Sequence, residues 1–158
     1  MSRISIEHVR LMVGRPFDAF KTAFEGQLGQ FHPSAYQALE DGDPQAARAR
    51  LESMAGPSGF MLFRTSDHGA VLRLVGKPRK ATQYLLGNPL IAVEMTRHAI
   101  GAALYAPLRV LFYEDGEGKT CVEYDLLSSL FGQFDDAHVD RVAESLDRKL
   151  EALIAAAG

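Results

Sequence analysis

With a single cysteine, Cys121, the chain has no means of forming an intrachain disulfide or a zinc site built from several thiolates. Cys121 lies inside an alternating apolar segment and is expected to be a small buried hydrophobe. Long apolar runs are also lacking. Nowhere do ~18 consecutive apolar residues occur, so no membrane-spanning helix is expected. The opening residues Met1-Ser2-Arg3-Ile4-Ser5-Ile6-Glu7-His8 hold no apolar run of signal-peptide length, and the expected location is the cytoplasm. Neither sign of charge dominates. A formal net charge of −3 gives no general pull toward nucleic acid or anionic membranes, and neither is expected as a partner.

Cofactor motifs are missing as well. There is no glycine pattern for a dinucleotide or a P-loop, and no Gly-x-Ser-x-Gly elbow. Histidines stand at positions 8, 32, 68, 98 and 138, and no two of them have the three- or four-residue spacing of helical metal ligands. No nucleotide cofactor is expected, nor a metal or haem, and the identity of any other cofactor stays open.

What is present is an ordinary globular composition, 47% apolar and 23% charged over 158 residues, enough for one domain spanning residues 1–158 with its own core. Ile4 and Ile6 alternate with polar residues, and Val9, Leu11 and Val13 continue in the opposite phase. This predicts a strand with a slip near His8. Gly14-Arg15-Pro16 ends it. Phe17, Phe20, Phe24 and Leu28 then recur at helical steps and form one core-facing stripe. Residues 31–58 read as a helical insertion at the edge of the core, its second helix started by Asp43 as N-cap and Pro44 at the first helical position.

Strands are predicted from Phe60, over Val71–Val75 and over Ala81–Leu86, followed by a helix from Leu90 to about Tyr105. Pro107 stops that helix by biasing Ala106 away from helical dihedrals. Leu108-Val110-Phe112 and Thr120-Val122-Tyr124 alternate across a glycine-containing loop, a hairpin. Asp135 or Asp136 opens a terminal helix over 135–157 carrying Val139, Val142, Leu146, Leu150, Leu153 and Ile154. Together these elements predict an α+β domain with a mainly antiparallel sheet and packing helices.

From about Gly59 to Leu130 short polar signatures follow one another in a telling order. They are Asp67-His68, Gly87-Asn88-Pro89, Ala106-Pro107-Leu108-Arg109-Val110, Glu114-Asp115-Gly116 and Tyr124. In this order and spacing the segment resembles the domain-of-unknown-function family DUF302. Gly69 stands where many members carry an alanine-like residue, and the helical insertion is longer than the usual connection. The resemblance implies an α+β fold of the TATA-binding-protein-like class, often homodimeric, with no established activity.

Several residues carry candidate chemistry. Asp67 beside His68 suits a general-base pair if the chain turns at Gly69, since strand neighbours otherwise point to opposite faces. The plainer reading is an Asp-initiated turn. Asn88 and Pro89 fit a helix cap, and the same helix end offers backbone N–H groups to an anion. The helix from Leu90 is apolar on two sides with a polar strip of Glu94, Arg97, His98 and Gly101 between them. That strip is either solvated or faces a cleft. The basic run Lys77-Pro78-Arg79-Lys80 reads as a solvated turn or a phosphate contact.

Three functional expectations follow. The first is a small, possibly anionic ligand held in a polar pocket formed by His68, Asn88, Arg97, His98, Arg109 and Tyr124, in a homodimeric protein. The second is a structural or regulatory module in which the two-sided helix forms a symmetric dimer seam. The third is an enzyme using His68 as general base with Asp67 orienting it.

Overall fold

The structure, a computed structural model, describes residues 3–158. Its strands are β1 (His8–Val13), β2 (Gly29–Gln30), β3 (Met61–Asp67), β4 (Ala81–Gly87), β5 (Leu108–Glu114) and β6 (Thr120–Asp125). They form one six-stranded sheet in the order β1-β6-β5-β4-β3-β2, antiparallel throughout except for the short β2–β3 pairing. The helices are α1 (Phe17–Glu25), α2 (Ser34–Glu40), α3 (Pro44–Met54), α4 (His68–Leu72), α5 (Pro89–Thr96), α6 (Leu127–Phe131) and α7 (Ala137–Ala157). The α+β class with a mainly antiparallel sheet stands as expected.

Period-two alternation sorts the strand residues onto two faces. On one face Tyr84, Leu86, Leu108, Val110, Phe112, Val122 and Tyr124 are buried beneath α1 and α7. Phe24 meets the Phe112 ring edge-on at 4.6 Å and Tyr84 at 5.4 Å, so the helix stripe read from the sequence locks directly into the central strands. The other face carries His8, Arg10, Met12, Arg109, Leu111, Tyr113 and Glu123, all half-buried or exposed. This second face is open along its middle.

The insertion folds as α2 and α3. Asp43 accepts a hydrogen bond from Ala46 N at 2.8 Å with Pro44 in the first turn, as its sequence requires. Ala35, Leu51 and Met61 form a smaller core there, and Phe63, at a register shift in β3, stacks on Phe31 at 4.3 Å.

Three expected elements differ. Ile4 and Ile6 lie outside β1 and are exposed, because pairing with β6 begins only at His8 opposite Asp125. Val71–Val75 is not a strand. Asp67 caps α4, which runs into a 3-10 turn over Arg73–Val75, leaving Val71, Leu74 and Val75 exposed. The helix from Leu90 ends at Thr96, and Ala99 is extended before a 3-10 segment over Ile100–Tyr105. Beyond the break the chain packs tightly at Gly101, where a Cβ would lie 2.8 Å from the Phe134 ring. The same kink buries Ala102 and turns Ile100 and Leu104 to solvent.

α6 was not legible in the sequence, since its cap comes from far along the chain. The buried Asp147 of α7 accepts hydrogen bonds from Leu127 N (2.7 Å) and Ser128 N (3.1 Å).

Candidate functional site

Two strand-to-helix junctions organise the polar residues, and both use an Asx cap. At the first, Asp67 accepts a hydrogen bond from Ala70 N at 2.9 Å and starts α4. At the second, Asn88 Oδ1 accepts from Leu90 N at 2.9 Å while its amide donates to the Gly59 carbonyl at 2.9 Å. The N–H groups of Ile91 and Ala92 go to the Asn88 carbonyl. The first turn of α5 is therefore hydrogen-bonded internally, and its donors are not turned toward an anion.

The first junction opens onto the exposed sheet face. Gly69 is buried, and a Cβ at that position would stand 2.0 Å from the Arg79 carbonyl oxygen. Only glycine permits this approach, which explains why the position lacks a side chain. Holding α4 against the Arg79 backbone brings His68 and Arg79 to one groove of about 440 Å³, shared with Leu72, Ala81, Gln83, Leu111, Tyr113 and Glu123.

At its floor Tyr113 Oη donates to Glu123 at 2.6 Å, and Arg10 and His8 also bond that carboxylate. These donors, Tyr113 first, hold the Glu123 carboxyl below the usual range, and the Tyr113 hydroxyl is pushed up to about 12, chiefly by the same bond. His8 bridges Glu123 (3.0 Å) and Asp125 (2.9 Å), and its imidazole is raised, Asp125 being the larger cause.

Arg79 also borders an adjoining depression of about 240 Å³ with Lys21, Asp67, Arg73 and Lys80. Lys80 is committed to Asp18 (2.7 Å) and Glu114 (3.4 Å), and Lys21 to Glu25 (3.2 Å). Among the described residues, Arg73 and Arg79 make no ion pair and no side-chain hydrogen bond. No hydrogen bond joins Asp67 to His68 among the described residues, and the two line different depressions.

The six residues expected to share a pocket are dispersed. His68 lies in the open-face groove. Asn88 lines a separate hollow at the far end of β4. Arg97 is solvent-exposed with Glu94 3.8 Å away, which resolves the polar strip as solvated at that residue. His98 does not turn to Glu94; it stacks on His138 with ring centres 4.6 Å apart and lies 3.7 Å from Asp136. Arg109 borders a depression of only about 20 Å³ with Tyr105 and Asp125. Tyr124 is buried on the opposite sheet face, where burial raises its hydroxyl. The physical reason for the dispersal is topological, since these residues occupy both sheet faces and both ends of the central strands.

Gln83, Tyr113 and Glu123 are not among the expected site residues, and Arg79 is anticipated only as part of the basic run 77–80, as a solvated turn or a phosphate contact. The signal for them was available in part: Gln83, Tyr113 and Glu123 fall on the solvent phase of three alternating strands. Among the described residues, no group of three His, Cys, Asp or Glu side chains is placed to hold a metal ion, and no helix is long and apolar enough to cross a membrane.

A six-stranded, mainly antiparallel sheet with packing helices defines the class of the fold. The profile of the family "Domain of unknown function DUF302" matches residues 36–157, and the chain belongs to that family. The fold is similar to the crystal structure of an uncharacterized conserved DUF302 protein from Bacillus stearothermophilus, at a TM-score of 0.67 and 14% identity, covering 96% of this chain and 98% of that one. No curated protein matches the sequence.

Proposed function

We propose that this DUF302 domain binds a small anionic molecule at the open-face groove, between His68, Arg79, Gln83 and Tyr113. The observation that carries the reading is the pair of uncommitted guanidiniums, Arg73 and Arg79, beside a groove whose one carboxylate already receives three donors. A guanidinium without a protein partner favours a carboxylate or phosphate, which it meets with two parallel hydrogen bonds. Gln83 and His68 add donors that fix orientation, and the exposed imidazole can donate or accept.

The test is native mass spectrometry on protein purified without added ligand, followed by NMR titration with inorganic phosphate. Saturable shifts at His68, Arg79, Gln83 and Tyr113 are expected, with Arg79→Ala weakening the interaction at least about tenfold. Shifts that never saturate, or that survive Arg79→Ala and His68→Ala unchanged, would leave the groove without this role.

A second reading, self-association along the segment after α5, is supported by the exposure of Ile100 (79%) and Leu104 (80%). Sedimentation velocity of the wild type against Ile100→Glu measures it. A dimer that Ile100→Glu dissociates is the expected result, and a monomer at every concentration ends the reading.

A further inference from the structure

We infer a second ligand site, independent of the groove: the hollow at the C-terminal end of β4 takes an uncharged apolar molecule the size of a single substituted ring. The hollow measures about 220 Å³. It lies between α5 and the ends of the central strands, walled by Phe63, Ile91, Ala92, Met95, Leu108 and Leu146. Tyr36 and Val93, both substantially exposed, mark its mouth.

The chemistry of the walls sets the class of occupant. Both ends of the Asn88 amide are used, on Leu90 N and the Gly59 carbonyl, and the N–H groups of Ile91 and Ala92 are bonded to Asn88. Pro89 and Pro107 have no N–H to offer. Among the described residues, no charged side chain lines the hollow. An anion or a strongly hydrated group would lose its water there and meet only neutral hydroxyl and amide groups, too few to replace its hydration shell. Apolar atoms meet apolar walls, and the gain grows with the area removed from water.

Size narrows the choice further. Apolar cavities of ~150 Å³ accept benzene, so the present volume suits roughly six to ten non-hydrogen atoms. The hydroxyls of Thr96 and Tyr36, the polar side-chain groups of the lining besides Asn88, allow one neutral polar substituent. The site differs from the groove in position, in polarity and in the charge it tolerates.

Toluene is the probe. Titrated into ¹⁵N-labelled full-length protein, it is expected to give saturable shifts centred on Gly87, Ala92, Thr96 and Leu108. Ala92→Phe, which fills the hollow from α5, is expected to weaken the interaction at least tenfold, and Thr96→Leu does the same from the same wall should Ala92→Phe fail to fold. Arg79→Ala is expected to leave toluene binding unchanged, which separates this site from the anion groove. Non-saturable shifts, shifts scattered over the surface, or unimpaired binding by a folded Ala92→Phe or Thr96→Leu variant overturn the inference. So does a stable dimer, seen by sedimentation, whose formation protects Tyr36 and Val93 and withholds the hollow from toluene.

Discussion

The two junctions that follow β3 and β4 begin alike and end differently. Asp67 and Asn88 each leave a strand, each accept a hydrogen bond from the first turn, and each start a helix. After Asp67 the helix lasts five residues and leaves Val71 in solvent, as the 3-10 turn beyond it leaves Leu74. After Asn88 it lasts eight, buries Met95 fully and shelters an apolar hollow. A cap therefore decides where a helix begins, whereas the packing beyond it decides its length and what kind of site it borders. Asn88 also ties its helix to the Gly59 carbonyl, a tertiary bond with no counterpart at Asp67 among the described residues.

The strongest way to break the comparison is to disturb the close approach on which the first junction depends. Gly69→Ala drives a methyl group into the Arg79 carbonyl, which is backbone and yields only if α4 moves. A loss of about 3 kcal/mol is expected, read by chemical denaturation. Phosphate binding at the groove should fall with it. A Gly69→Ala protein of wild-type stability would mean that α4 is not held where the groove requires it.

Next come the caps themselves. Asn88→Ala removes a cap and strands the Gly59 carbonyl, costing about 2 kcal/mol, while Asp67→Ala removes only an exposed cap, costing about 1 kcal/mol. Denaturant midpoints with unchanged m-values check both. Equal losses would show that the Gly59 bond contributes nothing, and the two junctions would then be equivalent.

Much of this architecture is legible in the sequence. The Phe17/Phe20/Phe24 stripe, the β5–β6 hairpin, the Asp43-Pro44 and Asn88-Pro89 helix starts and the terminal helix all follow from local periodicity and capping. Val71–Val75 misled because a short run of β-branched and apolar residues satisfies both strand and turn. The cap at Asp67 decided the matter. The Leu90–Tyr105 helix misled because apolar residues continue past Thr96, where the helix ends, while the tight packing of Gly101 on Phe134 joins residues distant in sequence. The candidate site is legible at His68 and, through the basic run 77–80 and the solvent phase of the strands, in part at its partners, but their convergence is not. Arg79 reaches the groove through the backbone contact at Gly69, and nothing in the spacing of the two residues announces it.

The smallest effect expected is electrostatic and concerns the floor of the groove. His8 is raised above its ordinary value of 6.5 by Asp125 and then Glu123. Its contribution to stability is therefore complete below 6.5 and disappears as pH climbs through the raised value. Glu123 is held below its ordinary 4.5 by Tyr113, then by Arg10 and His8, so its contribution is complete above 4.5 and disappears as pH falls through the lowered value. The two conditions overlap between 4.5 and 6.5, where the ladder is worth most. Because His8 is half exposed, solvent screening reduces its share to about 0.5 kcal/mol. The wild type should hold a small advantage in Tm over His8→Gln at about pH 5.5 that vanishes in alkaline solution. If the advantage instead grew with pH, His8 would be contributing as a neutral ring, and the electrostatic account of the groove floor would have to be abandoned.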